Sequence, residues 1–229
     1  MKKYGYLELV SSRDFINGEQ LAKEIGLEEG EPQHSNCDWM HFMLDGQELL
    51  VPTKTLRHSI SWESIYKKGA VYSDTEGFGP NPGGSGVNQN QYVTVNGDRY
   101  KVTLLKGVNN ENIKFDSDIF YDPELTWNSE WNRLMYRVHD GVHNPTHSNP
   151  TNTSHPYGVW DQLSDGQLQL DWLKNGCGTS SWCQEKGGWN RNSHDLRVNR
   201  GHRGVSFVSC LLVTNSDSAL GWRPALRKM

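Results

Sequence analysis

Alanine occurs only four times in 229 residues, at positions 22, 70, 219 and 225, against 23 Gly, nine Trp, nine Tyr and six Phe. A chain so poor in the best helix former and so rich in turn-forming residues is steered away from a helical bundle, toward short strands and long loops. The same aromatic content argues against disorder, which goes with few aromatics and high net charge. The length suits one large or two small domains with a buried core. The expected class is α+β, with a core built from aromatic side chains.

Three helices are predicted. Gly18–Gly26 has good formers between glycines, with Leu21 and Ile25 one turn apart. Ser61–Gly69 opens on a capping serine, carries acid in its first turn and base in its last, and stops at glycine. In the third, Trp127, Trp131, Leu134, Met135 and Val138 fall at i, i+4, i+7, i+8 and i+11. That is one apolar stripe, which leaves Glu130, Arg133 and Arg137 on other faces.

Strands surround these helices. Asn96-Gly97 between Gln91–Val95 and Asp98–Leu105 marks a hairpin with a type I′ turn, and Asp45-Gly46 marks a second. Val205–Val213 reads as a buried, central strand. Residues 77–86, 140–160 and 174–204 read as loops, and loops of that length are often functional or ordered by a partner. Residues 1–52 are expected to form a small N-terminal α/β segment, and 53–229 one α+β domain.

Charge and motifs exclude several classes. Twenty-three basic against 27 acidic residues give a net charge of −4 with no basic run, so no electrostatic grip on nucleic acid is indicated. No apolar stretch approaches ~18–20 residues, so membrane insertion is not expected. The opening Met1–Glu8 lacks an apolar core region, which argues against a signal peptide. Four cysteines, at 37, 177, 183 and 210, are too scattered for a disulfide scaffold and read as free thiols. Gly77–Gly86 has neither the Gly-Lys-Ser/Thr of a phosphate loop nor a strand–turn–helix setting. His139, His143, His147 and His155 lie close in sequence, but without a His-Glu-x-x-His arrangement they read as loop histidines rather than a metal site. Cys177 and Cys183 are spaced too widely for a zinc knuckle. No Gly-x-Ser-x-Gly elbow occurs. Neither a cofactor nor a catalytic residue is assigned.

The remaining signal is an aromatic and amide surface. Trp182, Gln184, Trp189, Asn190, Arg191, Asn192, His194 and Asp195 crowd one segment, and are the candidate ligand- or partner-binding residues. Flat aromatic rings give contact area at low entropic cost, and carboxamides give adaptable hydrogen bonds.

Two stretches carry a resemblance. Trp39-Met40-His41-Phe42, Ile60–Ile65, Asn96–Val102 and Ser129–Met135 follow an order that resembles structural proteins of tailed-bacteriophage virions. Toward the end of the chain, Ser181-Trp182-Cys183, Arg203–Phe207 and Ser218–Pro224 are similar to marks of the C-type-lectin-like fold. That fold is shared by the formylglycine-generating enzyme family and by variable receptor-binding proteins of phages. The resemblance implies a lectin-like domain over the C-terminal part, closed by a terminal Gly-aromatic-Arg strand in which Arg223 is structural. Cys177 and Cys183 are spaced differently from the enzyme's copper-binding pair, so the fold is carried over and the catalysis is not.

These readings give an expected function. The chain is a non-enzymatic virion component, in a tail, tail fibre or surface-attached position, made in the host cytoplasm. It would act through host-surface adhesion or contact with other virion proteins, as a homo-oligomer. Its partners would be other virion proteins and bacterial surface polysaccharide or protein. The alternatives are a formylglycine-generating-type oxidase or cell-envelope hydrolase, and a purely architectural virion protein. Alanine at Trp189 and Arg191 is expected to weaken attachment to host cells without unfolding the chain, as measured by cell binding alongside circular dichroism.

Overall fold

The computed structural model describes residues 5–73, 86–110, 113–115, 126–139, 160, 163–189 and 192–229. Three expected helices form, each capped as its sequence dictates. Asn17 accepts from the Gln20 amide to start α1 (Gly18–Glu24), Ser61 from Ser64 to start α2 (Trp62–Lys67), and Ser129 from Asn132 to start α3 (Glu130–Val138). Trp127 therefore falls before α3, and Trp131 begins its apolar stripe. Two further single turns, α4 (Asp165–Leu168) and α5 (Trp172–Asn175), lie in the region expected to be loop or near it.

Thirteen strands build two sheets among the described residues. The first has six strands, all pairs antiparallel, in the order β1 (Gly5–Val10), β3 (Trp39–Leu44), β4 (Gln47–Pro52), β13 (Ala225–Lys228), β7 (Asp98–Thr103) and β6 (Tyr92–Val95). Both of its hairpins turn where the dipeptides predict. Asp45 and Gly46 have φ of 52° and 88°, and Asn96 and Gly97 the same values, the left-handed pair that a type I′ turn requires. The second sheet runs β11 (Gly204–Leu212), β10 (Asn192–Gly201), β9 (Ser180–Trp189), β12 (Leu220–Trp222), β5 (Arg57–His58) and β2 (Glu31–Pro32), with β8 (Ile113–Phe115) pairing β9 in parallel. The class is mixed and sheet-rich, α+β as expected.

Three expectations are corrected. Residues 174–204 are not a loop, because β9 and β10 are ten-residue strands paired with each other. Their glycines and carboxamides hid them; the polar side chains are buried against one another, as in Ser180 Oγ to Asn199 Oδ1 at 3.1 Å. The strand 204–212 is buried but lies at the end of its sheet rather than in the centre. Position 52/53 is no domain boundary, since β4 pairs with β13 and one core joins Trp39 and Leu50 to Trp62, Trp222 and Leu226. On the other faces of α3, Glu130 and Arg137 are themselves buried. Glu130 accepts from Arg227 Nη2 at 2.6 Å and from the Lys106 amide at 2.9 Å, and the Arg137 guanidinium lies 3.6 Å over the Trp160 ring. The loops expected at 77–86 and 140–160 fall almost entirely outside the described residues.

The central strands of the first sheet are buried on both faces. Trp39, Leu50, Val102 and Leu226 enter one core with α1 and α2, whereas Met40, Phe42, Leu49, Val51 and Ala225 enter a second with Trp131, Leu134 and Met135 of α3. A sheet covered on both sides needs continuous apolar runs rather than alternation, which is how Trp39–Leu44 reads. Four buried indoles fasten these layers by donating to carbonyls remote in sequence: Trp39 to Ile16, Trp62 to Cys183, Trp131 to Val205 and Trp182 to Ile60, at 2.7–2.9 Å. A buried indole N–H left unpaired would cost ~1–3 kcal/mol, so each ring fixes both a volume and a partner.

Packing is close where Gly107 meets β9. A methyl group there would lie 2.6 Å from Cys183 Sγ and 3.0 Å from Val198 Cγ1. Gly107→Ala is expected to destabilise the fold by about 1–3 kcal/mol, with Cys183→Ala restoring part of the loss. Urea unfolding of the single and double variants measures both effects; an unchanged midpoint for Gly107→Ala would contradict this packing.

Candidate functional site

The residues proposed from sequence as one binding surface separate in the fold. Trp182 and Gln184 are each 1% exposed. They sit on the inward face of β9, where the Trp182 indole reaches the Ile60 carbonyl and the Gln184 amide donates to the Leu104 carbonyl. Both are therefore packing residues, unavailable to a partner. The sequence reading failed here because polarity in β9 signals internal hydrogen bonding rather than exposure. Trp189 and Asn192 face each other as register partners at the far end of the β9–β10 hairpin. Asp195 is half-buried and 3.7 Å from Lys186 Nζ. Asn190 and Arg191 lie outside the described residues, as do the side chains of Trp189, Asn192 and His194.

The cysteines also separate by environment. Cys177 is exposed in the turn before β9, Cys37 is half-buried, and Cys183 and Cys210 are buried. Burial raises the Cys183 thiol well above its ordinary pKa, with Glu185 adding to the rise, and raises Cys210 to about 12. Neither thiol has thiolate character at neutral pH. Of the four histidines expected in a loop, only His139 is among the described residues. Its Nε2 lies 2.7 Å from Asp165 Oδ1, a contact that holds the Asp165 carboxyl below its usual range.

An open cleft of about 850 Å³ lies elsewhere among the described residues. One wall is the connection from β2 to β3, including His34, Ser35, Asn36, Cys37 and Asp38. Another is Thr53 and Lys54 after β4, and a third is Ser164, Gly166 and Gln167 at the start of α4. The walls are tied by short-range geometry. His34 takes φ of 44° and its carbonyl accepts from the Cys37 amide at 2.9 Å, while the Asp38 carbonyl accepts from the Thr53 amide. A polar knot lies beneath. Gln33 Nε2 donates to Thr55 Oγ1 at 2.6 Å, the Thr55 amide donates to Gln169 Oε1 at 3.0 Å, and Gln169 Nε2 donates to the Cys177 carbonyl at 2.6 Å. Gly178 is required at this knot, since its φ is 68° and a Cβ would overlap Gln33 Nε2.

The electrostatics of the cleft suit binding better than nucleophilic chemistry. Burial raises the Cys37 thiol, although hydrogen bonds from its surroundings and the charges of Arg223 and Lys54 oppose the rise. Burial lowers His34, and Lys54, Arg223 and His58 lower it further. A raised thiol beside a histidine that resists protonation is the opposite of an activated cysteine–histidine pair. Polar donors and acceptors do line the cleft in number, which is what orients a hydrophilic ligand.

None of these cleft residues was proposed from sequence. The available signal was the unbroken polar run Gln33–Asp38 between α1 and β3. Comparison with known proteins finds no family model, curated protein or solved structure that matches this chain. No helix among the described residues is long and apolar enough to cross a membrane.

The thiol environments make a direct prediction. Iodoacetamide on the native protein is expected to modify Cys177 first, while Cys183 and Cys210 stay protected until denaturant is added. Peptide mass spectrometry reads the order, and early labelling of Cys183 would contradict its placement.

Proposed function

We propose that this chain is a non-enzymatic bacteriophage virion component that binds the host surface, carried on a C-type-lectin-like domain. The observation that carries the reading is the meeting of two motif segments distant in sequence. Leu220 and Gly221 of the Leu-Gly-Trp-Arg-Pro stretch pair in parallel with Ser180 and Ser181, which lead into Trp182-Cys183. This joining of the two segments supports the lectin-like reading, and Arg223, just after β12, is 1% exposed, in keeping with a structural role.

Binding is favoured over the oxidase alternative by the state of Cys183. Its thiol is packed under Gly107 with its pKa raised, in contrast to the exposed Cys177, so the two do not form a ready thiolate pair for copper. Adhesion by weak sites gains strength when many copies are displayed together on one particle. A second reading, a purely architectural virion protein, draws on Leu7 and Leu9. These are 39% and 42% exposed on β1, a strand at the end of the first sheet, and such a surface is suited to a sister subunit.

Labelling a panel of bacterial cells with fluorescent protein, with and without divalent ions, separates the two. Saturable labelling of particular hosts is the expected result. A stable oligomer by mass measurement in solution, with no labelling of any host, would overturn adhesion in favour of architecture.

A further inference from the structure

Arg223 stands apart from other buried arginines. Arg227 meets the Glu130 carboxylate at 2.6 Å. Arg200 donates to the Gly107 carbonyl at 2.6 Å, and the Gly107 amide donates to Glu185 Oε2 at 2.9 Å, so a single residue separates that cation from a carboxylate. Arg223 donates once, from Nη2 to the Leu168 carbonyl at 2.5 Å, and its Nε and Nη1 have no partner among the described residues. Burial lowers its pKa only to about 10, so the guanidinium keeps its charge at neutral pH. A buried cation without a counter-charge is costly, and buried donors left unmet by protein atoms point to a water or an ion that meets them.

Further unmet donors share its surroundings. Ser181 of β9 is the register partner of Arg200 in β10 and of Gly221 in β12. Register partners project to one face of a sheet, as do residues two apart along a strand. Thr179, Ser181 and Arg200 therefore look the same way, and Arg223 joins them two residues beyond Gly221. Trp131 of α3 covers this face, with the Arg200 guanidinium 5.6 Å and the Arg223 guanidinium 5.8 Å from its ring centroid. The cover is close, since a methyl group on Gly201 would lie 3.4 Å from Trp131 Cη2 and 3.0 Å from the Thr179 carbonyl oxygen. Ser181 Oγ and Thr179 Oγ1 also lack partners among the described residues, and neither residue is more than 1% exposed. The unmet groups are thus guanidinium N–H bonds and hydroxyls. Water brings two hydrogens that need acceptors of their own, whereas an anion only accepts.

We infer that Arg223, Ser181 and Thr179 hold a small monovalent anion, of the size and charge of chloride, inside the junction of β9 and β12. One uncompensated guanidinium matches one negative charge, and the near-complete burial of its donors favours a single atom over an organic acid. The ion sits where the terminal segment joins the second sheet, so it acts on the stability of that joint. The inference is independent of what the outer surface of the protein binds.

Protein refolded out of urea in chloride-free potassium gluconate, which strips any ion carried through purification, is the starting material for the test. Chloride titrated in at constant ionic strength is expected to raise the thermal unfolding midpoint saturably, by about 5 °C, and bromide to do the same. Arg223→Met is expected to abolish the rise. Ser181→Ala deletes a hydroxyl that has no partner, and is expected to move half-saturation to about tenfold higher chloride. Should Arg223→Met fail to fold, Ser181→Ala carries the comparison alone. Crystals grown in bromide are expected to show an anomalous peak within hydrogen-bonding reach of Arg223 Nε and Ser181 Oγ. The absence of a halide-specific rise, an unaltered titration in Ser181→Ala, or water without anomalous signal at those donors would each overturn the proposal. A bromide peak without any rise in the midpoint would mean an adventitious ion only, and would overturn it equally.

Discussion

Both sheets depend on one run of backbone hydrogen bonds, made by Leu220–Lys228. Its first part, β12, lies between β9 and β5, and its second, β13, lies between β4 and β7. Arg223-Pro224 separates them, and proline is tolerated there because a residue between two ladders need not donate an amide hydrogen to either. Without this segment the β1–β3–β4 meander would lose its link to the β6–β7 hairpin, and the long β9–β10–β11 meander its link to β5 and β2. The last residues of the chain therefore complete pairings prepared much earlier, a topology of high sequence separation.

Around this strand the interior is held by a second device, polar groups that find buried partners. The Glu130–Arg227 pair ties α3 to β13, and Arg200 ties β10 to α3 through Asn132. Such contacts contribute specificity more than net stability, since desolvation offsets much of their attraction. They also explain why ordinary measures of polarity misjudge this chain. Arg197, Arg200 and Arg223 are among its largest fully buried side chains, alongside five tryptophans.

The functional reading follows from how these devices divide the molecule. Residues that look reactive or adhesive in β9 are consumed by packing, with Trp182, Cys183 and Gln184 all inside. The described surface includes the open cleft formed by residues 33–38, 53–54 and 164–167.

Local chemistry was readable from the residues themselves. Asn17, Ser61 and Ser129 announce helix starts, and Asp45-Gly46 and Asn96-Gly97 announce hairpins, because caps and turns are decided by residues within a few positions of one another. The scarcity of alanine set the sheet-rich class for a similar reason, as a sum of local preferences. Tertiary structure alone decided the rest. Whether Ser180 or Arg200 is buried depends on Asn199, Gly107 and Asn132, partners that no spacing rule connects. The knot under the cleft joins Thr55 to Gln169, 114 residues away. Sequence specifies how each segment bends; only the packed chain determines which distant donor meets which acceptor, and hence which polar groups are left facing a ligand.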